Sequence, residues 1–182
     1  MKGSRYLIPI ASAFILACFV IIYFVGFIYQ TKREAGTDIA DDIEQLVSIF
    51  KKIDKDCSII SFDYQKNPIN FLTVAKFVSS EVGSMNLAHP QNWKGPYVDD
   101  NPEMQGKVYQ VVKTKQGYFI APGEGVRLPN GKIIGKDILL DKKSDIFSMM
   151  GNPHELLYKN KSLAAPLKLS KGKVLTPVQL EP

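Results

Sequence analysis

Residues 38–55 read DIADDIEQLVSIFKKIDK. Ile39, Ile43, Leu46, Phe50 and Ile53 recur at spacings of three and four, which gathers them on one face of an α-helix. Thr37 or Asp38 can cap its start. Asp38, Asp41 and Asp42 suit the positive end of the helix dipole, and Lys51, Lys52 and Lys55 suit the negative end. The stretch predicts an amphipathic helix whose apolar face has to be covered. Ile39, Ile43, Leu46 and Phe50 are read as its packing residues, set against other chains in a bundle.

Upstream lies a polar joint at residues 30–37, with Gly36 as a soft point. Before it, residues 6–29 read YLIPIASAFILACFVIIYFVGFIY, 24 residues without a charge. About 20 apolar residues suffice to cross a bilayer core, and a core helix of a soluble domain would carry a polar stripe. The run therefore predicts a transmembrane helix, with residues 1–5 as a short cytoplasmic tail and the remaining chain on the other side. Lys2 and Arg5 ahead of the run also fit a signal peptide, and Ile15-Leu16-Ala17-Cys18 fits a lipobox that would make Cys18 a lipidated residue. The unbroken apolar run through Tyr29 favours an uncleaved anchor over both.

Downstream, residues 58–66 alternate weakly and suggest a strand or an extended loop. Asn67-Pro68 then predicts a second helix, with Asn67 as cap, Pro68 at the first position, an apolar face of Phe71, Val74, Ala75, Val78 and Val82, and Gly83 as the stop. Residues 89–103 form a Pro-containing loop. From Lys107 the pattern changes to strands: 107–114 and 118–121 around a turn at Lys115-Gln116-Gly117, then 125–128 and 132–134 around Pro129-Asn130-Gly131, where Asn-Gly signals a type I′ turn. Residues 136–140 can add a strand and 144–150 a helical turn or two. The expected fold class is α+β: a transmembrane helix extending into an amphipathic one, a second helix, then a small antiparallel sheet of about four strands. The extracytoplasmic domain spans 38–163, and residues 164–182 read as an extended tail containing prolines.

Charge and chemistry narrow the function. The net charge of +5 suggests nucleic acid until it is located. Residues 34–182 hold 19 Lys/Arg against 18 Asp/Glu, a net of +1, so the excess flanks the apolar run and nucleic-acid binding is rejected. His89 and His154 are the only histidines, and neither sits in a nucleophile motif. Asp99, Asp100, Asn101 and Glu103 crowd one loop with oxygen donors of the kind calcium uses, but without the D-x-D-x-D-G period. Gly123-Glu124-Gly125 has no following helix to bind phosphate and reads as a turn. No cofactor is expected, and the protein is read as non-catalytic.

One segment resembles a known family. Pro90-Gln91-Asn92-Trp93-Lys94-Gly95-Pro96-Tyr97-Val98 is similar to the N-W-x-G-P-Y-[LV] signature of the major pseudopilin of type II secretion, and the order of parts over residues 1–125 looks like a type IV pilin. The resemblance implies a pilin-like fold at a bacterial inner membrane with a periplasmic domain. It gives Trp93, Gly95, Pro96 and Tyr97 a packing role, with the two rings on the sheet and Gly95-Pro96 turning the chain across it. The family's early glutamate has no counterpart before Glu34, which favours a permanent anchor over an assembling pilin. The expected function is a membrane-anchored structural or interaction subunit, or else an accessory single-pass subunit docking a soluble partner. Its expected partners are membrane lipid and other membrane-protein subunits, like or unlike.

Overall fold

The structure is a computed structural model that describes residues 4–170, with the side chains of residues 4–15 and 26–35 outside the description. The chain divides into two compact units, residues 1–35 and 36–182, and helix α1, Ser4–Cys57, contributes to both.

In the first unit, the described side chains of residues 16–25 leave Leu16, Phe19, Val20, Ile21, Ile22, Phe24 and Val25 exposed. Among the described residues no helix is long and apolar enough to cross a membrane. The transmembrane helix expected at 6–29, and with it the single-pass inner-membrane location, is corrected on that finding. The flanks of that run, 6–15 and 26–29, have side chains outside the described residues, and residues 1–3 of the expected cytoplasmic tail lie outside them entirely.

The second unit is α+β and is built on the apolar face of α1. Ile39, Ile43, Leu46, Phe50, Ile53 and Cys57 are all buried in the chain's own core. The face read as a contact for other chains is therefore used within the domain. Phe50 meets Phe62 at 6.1 Å and Phe71 at 6.2 Å between ring centroids, and Phe62 meets Tyr118 at 5.1 Å. Helix α1 ends where Ser58 turns into the left-handed region (φ 53°) and its N–H donates to Asp54 O. The Asp54 carboxylate then accepts from Ile59 N–H at 2.9 Å, satisfying the second amide beyond the helix.

After α1 come β1 (Ile59–Phe62), β2 (Lys66–Pro68), β3 (Glu81–Val82) and β4 (Met85–Leu87). A 3₁₀ turn at Pro90–Asn92 is followed by β5 (Glu103–Met104), β6 (Lys107–Val108), β7 (Gln110–Thr114) and β8 (Gly117–Ala121). A short helix α2 (Ile146–Met150), capped by the Asp145 carboxylate on Ser148 N–H, precedes β9 (Leu157–Tyr158), β10 (Lys161–Ser162) and β11 (Ala165–Leu167). The largest sheet is antiparallel in the order β11-β8-β7-β2, a second runs β1-β4-β3, and β5-β6 and β9-β10 are separate hairpins.

Several expected elements take other forms. No second helix forms over 67–82. Asn67 is fully buried: its Oδ1 accepts from Tyr64 N–H, and its Nδ2 donates to Tyr64 O and Val111 O. The side chain expected to cap a helix instead fastens β2 onto β7. Val78, assigned to a buried face, is fully exposed, and Gly83 (φ 59°) turns the β3–β4 hairpin over the Phe71 ring. Residues 125–134 form a single bridge, Arg127 to Ile133, in place of two strands. Their turn carries Gly131 N–H to Leu128 O at 2.8 Å, with Gly131 alone at positive φ (87°), so Pro129-Asn130 make a type I turn rather than I′. Residues 136–140 contribute one bridge, Ile134 to Ile138. The outer strands of the large sheet come instead from β2 and β11, far apart in sequence. Of the expected tail, residues 165–167 are β11 and residues 171–182 lie outside the described residues. The pilin-like arrangement is thus corrected to an α+β fold in which α1, a 3₁₀ turn and the short α2 accompany several small antiparallel sheets.

Two outcomes follow from this core. Phe50→Ala should lower unfolding stability by about 3–5 kcal/mol, as large core truncations do. Glu44→Ala, on the exposed face of α1, should change it by less than about 0.5 kcal/mol; urea titration of both checks this. Tyr109 is buried, and its hydroxyl donates to Asp42 Oδ2 at 2.6 Å. Burial, and then the bond to Asp42, push its pKa well above the ordinary tyrosine value. A raised folded-state pKa contributes stability that is complete below the unfolded value near ~10 and is lost as pH rises beyond it. Spectrophotometric titration should find one of the eight tyrosines ionising only with unfolding, and Tyr109→Phe should abolish that alkaline component.

Candidate functional site

The sequence points first to residues 89–103, a loop anchored on both sides. His89 N–H donates to Cys57 O and Ala88 N–H to Ser58 O, both at 2.9 Å, which fixes the entry to the end of α1. Asn92 Nδ2 donates to Asp56 O at 3.0 Å, Lys94 Nζ pairs with the Asp56 carboxylate at 3.0 Å, and Lys52 Nζ lies 5.6 Å over the Tyr97 ring. On its other side the loop holds residues 70–74. Trp93 Nε1 donates to Val74 O at 2.9 Å and Tyr97 N–H to Leu72 O at 2.8 Å. Asn101 accepts from Leu72 N–H through Oδ1 and donates to Asn70 O through Nδ2.

The two rings of the motif are partly buried against the core, and Trp93 contacts both Tyr97 and Phe77. Trp93 meets Tyr97 at 4.8 Å and Phe77 at 5.3 Å, both edge to face. The Gly95–Pro96 peptide is cis. A Cβ on Gly95 would stand 2.3 Å from Val74 O and 2.4 Å from Trp93 Nε1, inside the very hydrogen bond that closes the clamp. The motif thus joins the end of α1 to the 70–77 segment, and its polar atoms are engaged in doing so.

Asp99, Asp100 and Glu103 line an open depression together with Thr73 and Asn101. Both ends of the Asn101 amide already serve backbone groups. Among the described residues no group of three or more His, Cys, Asp or Glu side chains is placed to hold a metal ion. His89 and His154 are exposed. Cys57 is buried, and burial, reinforced by Asp56 and opposed by Lys94, raises its thiol pKa, so the reactive thiolate is disfavoured. Cys18 is a free, half-buried thiol on α1. Gly123-Glu124-Gly125 is a turn closed by Val126 N–H to Gly123 O.

A cavity that no sequence pattern pointed to opens beside the large sheet, between β2, β6, the start of β7 and the turn at Gly123-Glu124. Its charged groups, Lys66, Lys107 and Glu124, come from three separate stretches of chain, and no local spacing links them. Lys66 and Glu124 form an ion pair across it.

No family model matches this chain, and neither a curated protein nor a solved structure does so. The pilin and pseudopilin resemblance has no matching protein behind it.

Gly95→Ala should weaken the clamp through the clash with Val74 O. The expected loss is about 1–3 kcal/mol of stability, with a red-shifted Trp93 fluorescence maximum. As Trp93 is the only tryptophan, emission reports the site directly.

Proposed function

We propose that this protein is a non-catalytic structural subunit that acts by associating with other protein chains. One observation carries the reading: Phe19, Val20, Ile21, Ile22, Phe24 and Val25 all expose large apolar side chains. Successive helix positions are rotated by about 100°, so these residues point to every side of α1. A surface of that size and continuity marks a contact. Apolar groups on all sides call for cover from more than one neighbouring helix. The clamp at 93–97 and the buried Cys57 thiol fit a domain whose polar groups hold the fold.

Cys18 lies within the exposed run and gives the test. With Cys57→Ala removing the second thiol, mild oxidation of the full chain in detergent-free buffer should yield a disulfide-linked dimer through Cys18. The dimer should disappear in Cys18→Ser and fall by about tenfold in Phe19→Ser/Ile22→Ser, as for loss of central apolar anchors. A chain that sediments as a monomer, or that partitions singly into phosphatidylcholine vesicles, overturns the proposal.

A further inference from the structure

The cavity beside the large sheet has a volume of about 430 Å³, within the range of small-ligand pockets. Pro68 and Val108 give it apolar wall, and Gly106 carries nothing that intrudes, since a Cβ there would meet no atom within 4 Å. Two ammonium groups and one carboxylate line it. The Lys66–Glu124 pair neutralises one ammonium. Lys107 makes no ion pair among the described residues, so the site holds one uncompensated positive charge (two Lys less one Glu).

Gln110 supplies the second observation. It is 5 % exposed and lines the cavity. Its Nε2 donates to Pro122 O at 2.9 Å, which fixes the orientation of the amide, and its Oε1 accepts no hydrogen bond among the described residues. The only fully enclosed side-chain polar atom without a partner among the described residues is Ser84 Oγ. Gln110 Oε1 therefore keeps contact with open space, and the cavity is the open space this residue borders. An unpartnered acceptor on a buried residue that lines the same cavity as an unpaired ammonium suits a ligand with a donor next to a negative charge.

We propose that this cavity binds a terminal –NH–CHR–COO⁻ unit. The carboxylate pairs with Lys107 Nζ, the N–H donates to Gln110 Oε1, and the R group lies against Pro68 and Val108. The single net positive charge favours a monoanion, and the Glu124 carboxylate disfavours a phosphate dianion. Two sources offer this unit: the free C-terminus of a polypeptide and a free N-acylated amino acid. The inference is independent of how the apolar surface of α1 is covered.

Titration calorimetry on the full chain tests it with N-acetyl-leucine, N-acetyl-leucinamide, and a peptide ending in leucine with a free carboxylate. The acid should bind about tenfold or more tighter than the amide, and Lys107→Gln should lose about the same factor, as for one charge-assisted hydrogen bond. Lys107 is exposed, so Lys107→Gln should fold normally, and an unchanged urea midpoint checks that. Lys115→Gln, outside the cavity, should bind like the parent chain. A peptide that binds about tenfold tighter than N-acetyl-leucine assigns the site to polypeptide C-termini; equal affinity assigns it to the small molecule. Equal binding of acid and amide, an unchanged affinity in Lys107→Gln, or no heat with either acid overturns the proposal.

Discussion

The burial of one face of α1 is the constraint on which the second unit depends. Its strands are two to five residues long, and isolated sheets of such strands are marginal in water. They persist because Phe50 touches both Phe62 of β1 and Phe71 of the following loop, while Phe62 reaches Tyr118 of β8. One helical face thereby joins two sheets that share no strand. Polar pins set the register along that face. Asp42 accepts from Tyr109, and Asp54 accepts from Ile59 and from both the backbone and hydroxyl of Ser170. Each buried or half-buried carboxylate is matched by donors, as the desolvation cost of a lone charge requires.

The same economy governs the loops. Asn67, Asn101 and Trp93 use their hydrogen-bonding atoms on backbone groups. Chain segments without regular structure have to satisfy their amides somehow, and here the side chains of the loops do it. What is left over among the described residues is specific: an exposed apolar surface on α1, and a cavity lined by an unpaired ammonium and an unpartnered amide oxygen.

The first unit shows how far composition reaches. An uncharged run of apolar residues predicts a membrane span by length and hydropathy. Among the described residues no helix is long and apolar enough to cross a bilayer. Apolar exposure on all sides remains, and that exposure carries the functional reading.

By itself the sequence determined the helix over 38–55, because a 3.6-residue period is local and survives any context. It also determined the β7–β8 hairpin, whose two-residue turn Lys115-Gln116 sits between strands that carry their own pattern. Asn67-Pro68 was legible only as a helix start, because nothing near it in the chain announces that Val111 will take its amide. Tertiary structure decided the outer strands β2 and β11, which pair across 44 and 45 residues (67 to 111 and 120 to 165). It also decided that Trp93 and Tyr97 pack on residues 70–77, and that Lys66, Lys107, Gln110 and Glu124 share a cavity. These are contacts between distant segments, set by which surfaces remain to be buried once α1 has taken its place, and no local spacing records them.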